Sequence, residues 1–430
     1  MQSNQGTNRR DFISQTGKIA AAGTIGAALP ASRAFGFHHS VNDKLKIGLI
    51  GCGGRGTGAV INAINADSNS EVHALADAFM DRVDKCERSL KGQLKERCAV
   101  AQDRKFDGLD CYKKLCQTDV DVVILAAPPY FRPTQLKAAI EAGMHVFCEK
   151  PVGVDVPGVR SILESCDLAR TKGLSIVSGL CWRYDIGVKG MISRIKDGEI
   201  GEIKSIQENY LAGTSWHRGN KEEWSRLEYQ LRNWPYFNWL SGDHIAEQHI
   251  HSLDKALWLM DDVPPKSCFA SGGRLVRTGE KWGNVYDHFA TVFEWEDSDV
   301  KTFAHCRQMA GCYTNTEDYV IGTKGSAKVL KAEIKNELGK NSHKIKRKPS
   351  MYDVEHRYLF RSIREGRPIN DGTYMSYSTL MALMGREAAY TGQVVEWEDF
   401  MKSEKVLGPA DINDAEDYEP APVAMPGSEW

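Results

Sequence analysis

Three stretches of this 430-residue sequence carry residue types at spacings that chemistry could use. The first is Gly51-Cys52-Gly53-Gly54-Arg55-Gly56, a Gly-x-Gly-x-x-Gly run whose glycines would let the backbone approach a pyrophosphate at the start of a following helix. Asp77 stands 26 residues after Gly51. A carboxylate there would accept from ribose hydroxyls and repel a 2′-phosphate, which favours NAD over NADP. Gly51, Gly53, Gly54, Arg55, Gly56 and Asp77 are therefore candidate dinucleotide contacts, the alternatives being a plain glycine turn and a solvated strand-end acid. The second stretch runs from Ser241 to Asp254. Wound as an α-helix at about 100° per residue, it gathers His244, Glu247, His251 and Asp254 within an arc of about 80°, with His249 pointing away. Such a titratable face suits proton transfer. Three histidines also raise a metal, but ligands must converge and His249 diverges, so none is assigned; satisfied interface histidines are the remaining reading. The third is Glu149-Lys150-Pro151, which ends the apolar run from His145 to Cys148 and would otherwise be read as a surface turn.

The elements that must position these residues alternate between strand and helix in the first half. Lys46 to Ile50, Glu71 to Ala76, Asp121 to Ala126, His145 to Cys148 and Leu174 to Val177 read as strands. Pro133 to Ala142 reads as a helix, and Asp155 before Val156-Pro157 as a helix start. Repeated βα units imply an open parallel sheet. From Trp182 the strands lengthen and alternate (Glu202 to Tyr210, Ala290 to Trp295, Val300 to His305, Tyr319 to Ile321), which predicts a mainly antiparallel sheet with one face solvated or against a partner. The expected fold is α/β: an N-terminal Rossmann domain over 43–180 and a C-terminal α+β domain with a large open sheet over 181–400. Tyr352 to Ile363 and Leu380 to Tyr390 read as helices, and 401–430 as an extended acidic, Pro-rich tail. Arg183 and Tyr184, just past the first domain, are candidate contacts for sugar hydroxyls. An aromatic insertion from Trp216 to Trp239, including Trp234, could line a carbohydrate pocket or a subunit contact.

The balance of 55 Lys+Arg against 57 Asp+Glu gives a formal charge of -2, leaving no basic field for nucleic acid or an anionic membrane surface. The 11 cysteines form no C-x-x-C pair, so neither a disulfide framework nor a zinc ribbon is indicated. Asn8-Arg9-Arg10-Asp11-Phe12-Ile13, an Ala/Gly-rich apolar run from Ile19 to Leu29 and Ala31-Ser32-Arg33-Ala34 resemble a twin-arginine export signal over residues 1–34. The apolar run is shorter than the ~20 residues of a membrane span. An amphipathic helix at the start of a cytosolic enzyme is the alternative; export would make the protein periplasmic.

The glycine loop, Asp77, Ala126-Ala127-Pro128, the run Ala142 to Pro151 ending in Glu149-Lys150-Pro151, and His251-x-x-Asp254 together resemble the Gfo/Idh/MocA family of oxidoreductases. The resemblance implies cofactor contacts at Pro128, Glu149 and Lys150. It also implies that Lys150 binds and polarises a substrate oxygen and that His251 holds the catalytic-histidine position, with Glu247 tuning or relaying its proton. Substrate contacts are expected at Lys150, Arg183, Tyr184, Trp234, His244 and His251. The family further implies a homo-oligomer, a dimer or tetramer. Three positions depart from its pattern: Glu247 replaces a shorter acid, His249 a glycine, and Arg132 a histidine. The expected activity is hydride transfer between tightly bound NAD(H) and a secondary alcohol of a sugar, cyclitol or glycoside. Glycoside hydrolysis by transient oxidation, elimination and reduction is the alternative, and a non-catalytic NAD-binding sensor a third reading.

Overall fold

Short runs, apolar except at the β3 edge, form the first sheet. They are β1 (Leu45–Ile50), β2 (Ser70–Asp77), β3 (Lys105–Asp107), β4 (Val122–Leu125), β5 (His145–Cys148) and β6 (Ile176–Ser178). All pair in parallel, in the order β3-β2-β1-β4-β5-β6. Every residue of β4 is buried, as expected where helices cover both faces. The strand order reverses between β1 and β4, and ligands of such sheets bind outside the carboxyl ends at that switch point. The computed structural model describes residues 43–430 except 297, 343–347, 410 and 429. The expected export signal over 1–34 lies outside the described residues.

The second sheet has nine strands among the described residues: β7 (Ile203–Ala212), β8 (Ser267–Gly273), β9 (His288–Glu294), β10 (Lys301–Gln308), β11 (Asn315–Gly322), β12 (Gly325–Lys328), β13 (Glu333–Asn336), β14 (Gly339–Ser342) and β15 (Val395–Glu396). Their order is β14-β13-β12-β11-β7-β10-β9-β8-β15. The β7–β10 pair is parallel and the other pairs are antiparallel. Alternation is clean in β10, where Thr302, Ala304, Cys306 and Gln308 are buried while Lys301 and Phe303 face outward. The helices Ile250–Leu259 and Gly372–Thr391 pack on the inner face and share one continuous core with it. Phe269, Phe303 and Ile321 remain exposed.

Two features differ from the sequence reading. The helix Met351–Glu365 returns to the first sheet, where Leu359, Phe360 and Ile363 join the core built on β1 and β2. Beyond it, the carbonyl of Ile369 accepts from the N–H of Ile176 at 2.8 Å, covering the β6 edge. A boundary at residue 180 therefore does not divide the chain cleanly. The tail past 401 is largely extended but firmly held. Carbonyls of Glu416, Tyr418, Ala421 and Ala424 accept from Leu227, Gln230, Asn284 and Tyr286 at 2.8–3.2 Å. Asp411, Glu416, Asp417 and Glu419 face solvent while the backbone at Glu416 and Tyr418 straps the aromatic insertion.

Candidate active site

The loop after β1 explains its own composition. Gly51 has φ +101°, and a Cβ there would stand 2.3 Å from the N of Ala127; one on Gly56 would stand 2.1 Å from the Gly51 carbonyl. Either would force the loop off β4 or the helix off the loop. Gly53 and Gly54 meet no such limit, since a Cβ on either would face open space. That space is a cleft of about 340 Å³ at the N-terminus of the helix Gly54–Ala66, lined by Gly51, Gly53, Gly54, Arg55, Gly56, Asp77 and Pro128. Backbone N–H groups at a helix N-terminus suit a pyrophosphate. Asp77 ends β2 at the cleft, accepting from Cys52 N at 2.7 Å and Phe79 N at 3.1 Å. Burial pushes its pKa up, opposed by those two N–H groups and by the charge of Arg82. The donor set, the open glycines and the acid at the ribose end fit NAD.

Trp216, Arg218, Arg232 and Trp234 line the same cleft. The aromatic insertion thus roofs the dinucleotide cleft, while Tyr236, Phe237 and Trp239 are buried in a core of their own. Arg232 fastens the roof to the first domain through Asp81 at 3.0 Å and lies over the Phe79 ring at 4.0 Å.

A second cavity, of about 270 Å³, adjoins the cleft across Arg55, Ala126, Ala127, Trp234 and Glu247, which line both. Glu149, Lys150 and His251 complete its polar wall with Arg132, Gln248 and Tyr352. Glu149 and Lys150 leave the end of β5, with the N–H of Glu149 bonded to the carbonyl of Leu125 at 3.0 Å. Gly179 makes room for the glutamate, since a Cβ there would lie 2.7 Å from its Oε2. The Lys150 ammonium donates to the Glu247 carbonyl and pairs with Glu247 Oε1 at 3.3 Å. Arg55 is gripped by Glu149 and by Glu355 Oε1 at 2.8 Å, which holds its charge firmly in place and commits it to this junction.

The helix that brings His251 to the cavity is preceded by an irregular turn. Ile245–His249 is a π-turn, followed by the α-helix Ile250–Leu259. Such turns recur at functional sites. Glu247 and His251 line the cavity; His249 points away, buried, with its ring 6.4 Å from that of Tyr210. Burial, then the charges of Lys150, Lys255 and Arg55, hold the His251 pKa well below the usual 6.5. The imidazole is therefore neutral. Its Nδ1 is buried with no protein partner, leaving Nε2 as the nitrogen open to a ligand.

Three expected substrate contacts are corrected. Arg183 is buried, bonded by Nε to Asp254 at 2.9 Å and by Nη2 to Asp262 at 2.6 Å, and packed against the ring of Tyr374 at 4.0 Å. A guanidinium held by two carboxylates serves the packing of its own domain rather than reaching a ligand. Tyr184 is buried and donates to Asp371. His244 is buried, with Nδ1 3.0 Å from Asp243 Oδ1 and its ring 5.1 Å from Phe289; the widened turn breaks the 100° phase that grouped it with His251. Asp254 leaves the site for the same network, accepting from Ser378 at 2.8 Å. Trp234 stays. Reading from sequence missed Gln248, Tyr352 and Glu355, the last two because they come from a helix some 300 residues along the chain from Arg55. Among the described residues, no group of three or more His, Cys, Asp or Glu could hold a metal ion, and no helix is long and apolar enough to cross a membrane.

Fold and site together define a two-domain protein whose first domain is an NAD-binding Rossmann fold. The chain belongs to the Gfo/Idh/MocA family: residues 45–179 match the oxidoreductase family's NAD-binding Rossmann fold, and residues 188–328 match the GFO/IDH/MocA C-terminal domain. It is 30% identical over 215 residues to a 2,7-anhydro-N-acetylneuraminate hydratase of Escherichia coli, covering 49% of this chain and 51% of that protein. It is 27% identical over 242 residues to a glycosyl hydrolase family 109 protein of Solibacter usitatus, covering 53% and 52%. These matches span about half the length of each relative. The fold is similar to that of scyllo-inositol dehydrogenase from Lactobacillus casei, solved with NAD(H) and scyllo-inositol, with a TM-score of 0.62 and 19% identity over 82% of this chain and 99% of that one.

Proposed function

We propose that this chain interconverts a secondary alcohol of a sugar, cyclitol or glycoside and the corresponding ketone. The observation that carries the reading is the convergence of Lys150, Glu247 and His251 on one cavity that opens onto the dinucleotide cleft. NAD, held by Gly51 to Gly56, Asp77 and Pro128, supplies the hydride acceptor or donor. His251 takes the hydroxyl proton at Nε2 as general base. Lys150 donates to the same oxygen and stabilises its developing charge. Glu247 keeps that ammonium aimed at the cavity and receives or returns its proton. Losing one positioned acid-base group costs ~10²–10⁴-fold in rate. Lys150→Ala and His251→Ala should each show that loss in single-turnover NADH formation, and near-wild-type rates in both would remove the assignment.

A redox-neutral net reaction is the second reading, supported by relatives named as a hydratase and a glycosyl hydrolase. The same three residues would serve a transient oxidation. Following phenol release and NADH together on aryl glycosides separates the two. We further propose that the protein is exported through its Arg9-Arg10 signal with NAD already bound, and that it forms a homo-oligomer through the sheet face bearing Phe269, Phe303 and Ile321. Fractionation of cells and the mass of the purified native protein test these points.

A further inference from the structure

Glu247 reaches Lys150 on a side chain with several rotatable bonds, and each must be fixed before its carboxylate can hold the ammonium in one place. The hydrogen bonds behind it supply that constraint. Glu247 Oε1 pairs with Lys150 at 3.3 Å, and its Oε2 accepts from Gln248 Nε2. The other end of the same amide, Gln248 Oε1, accepts from the hydroxyl of Tyr210 at 2.7 Å. Tyr210, Gln248, Glu247 and Lys150 thus form one continuous line from the second sheet to the cavity. Its direction is determinate. As the ion-pair partner of Lys150, Glu247 can only accept, so the Gln248 nitrogen must face it; the amide oxygen then faces Tyr210, which must donate. Burial, then the charge of Glu247, push the Tyr210 phenol up to about 12, so the donor keeps its proton at neutral pH. The anchor is well seated. Tyr210 is half-buried on β7, an inner strand, in register with Cys306 of β10 and Thr316 of β11.

We propose that Tyr210 is a positioning residue for this site: through the Gln248 amide it holds Glu247, and so keeps the Lys150 ammonium on the substrate oxygen. This deepens the oxidoreductase reading above and rests on it. An amide nitrogen gives up no proton near neutral pH, so the line transmits orientation and not a proton. Gln248 lines the cavity together with Glu247 and Lys150, but its polar ends already serve Tyr210 and Glu247.

Full-length protein loaded with NAD is trace-labelled with acetic anhydride, and the yield at Lys150 is read by peptide mass spectrometry against the exposed Lys402. The reagent takes the free amine, so a lysine held in an ion pair reacts slowly. Tyr210→Phe removes the hydroxyl and keeps the ring; it should raise Lys150 labelling about three- to tenfold relative to Lys402. Gln248→Leu should do the same, and the double variant no more than Gln248→Leu alone, because Tyr210 acts through Gln248. With myo-inositol, D-glucose and D-galactose as probes, NADH formation by Tyr210→Phe should fall about tenfold in kcat with KM changed less than about threefold, since the support lost is for charge that develops in the transition state. Unchanged Lys150 labelling in Tyr210→Phe overturns the proposal. So do additive effects of the two substitutions, which would leave Tyr210 a packing residue, and so does a labelling change with kcat unmoved. If the wild-type protein forms no NADH from any probe, the result counts against the oxidoreductase reading, and the labelling alone decides whether Tyr210 holds Lys150 in place.

Discussion

Replacing Lys255 by methionine should destabilise the protein and disturb the helix that carries His251 together. Lys255 is about 1% exposed and lies one turn past His251. Its ammonium donates to the His251 carbonyl at 2.6 Å and forms an ion pair with Asp318 Oδ2 at 3.2 Å. Glu208 stands directly opposite Asp318 in the β7–β11 register, and neither of its carboxyl oxygens is bonded to protein. Burial raises the pKa of both acids; Asp318 raises that of Glu208 further, while Lys255 opposes the rise in each. One cation thus serves two buried acids, so Asp318 carries the charge and Glu208 stays protonated. Without the cation, Asp318 must be left charged and unpaired, or protonated. The first costs about 3–5 kcal/mol. The second, for a carboxyl with a reference pKa near 3.9, costs about 4 kcal/mol at pH 7.

The expected loss for Lys255→Met is therefore about 3–4 kcal/mol by urea denaturation at pH 7. Its pH dependence has a definite sign. An acid protonated in the folded state and ionised in the unfolded one favours folding less as pH rises, so the deficit relative to wild type should shrink by about 1.4 kcal/mol per unit between pH 7 and pH 5. Adding Asp318→Asn removes the stranded acid and should recover more than half of the loss, a coupling that two independent sites would not show. Single-turnover NADH formation should fall in both variants, because the His251 carbonyl has lost its donor either way. A single variant within about 1 kcal/mol of wild type, or a double variant less stable than the single, would refute this account of the buried cluster.

His249, His251 and His356 are held neutral by burial, with pKa values well below 6.5. The unfolded chain takes up their protons first, so stability should be constant above about pH 6.5 and fall below it by about 1.4 kcal/mol per unit for each histidine; a flat urea midpoint from pH 7 to 5 contradicts this. Gly56→Ala places a methyl 2.1 Å from the Gly51 carbonyl and should weaken NAD binding by more than about tenfold, measured calorimetrically on protein stripped of cofactor, with unchanged affinity as the adverse result. Asp77→Ala removes the charge that repels a 2′-phosphate and the acceptor that braces Cys52 and Phe79. NAD affinity should drop and the NADP-to-NAD preference rise about tenfold or more; an unaltered ratio would place discrimination elsewhere.

What the sequence disclosed about this site follows how local each determinant is. The glycine loop, Asp77 and Lys150 sit at strand ends whose apolar runs are readable alone; the first two line the dinucleotide cleft and Lys150 the cavity that adjoins it. The helix face at 244–254 was legible only in part, because a wheel drawn at 100° per residue presumes the α-helix throughout and the π-turn at Ile245–His249 changes the phase before His251. Arg183 misled for a different reason: a lone arginine at a domain junction looks available until the chain brings Asp254 and Asp262 to it from more than seventy residues away. Tyr352 and Glu355 left no local trace, since their helix is amphipathic like any other and only tertiary packing carries it back to Arg55. Arg132 stood out in sequence as a departure from the family pattern. In the structure Arg132 is buried beside the loop after β4 and donates to the Ala127 carbonyl at 2.7 Å. Lys150, Glu247 and His251 are thus set by a strand end and one helix that can be read locally, whereas which of the surrounding charges are already paired is decided by contacts distant along the chain.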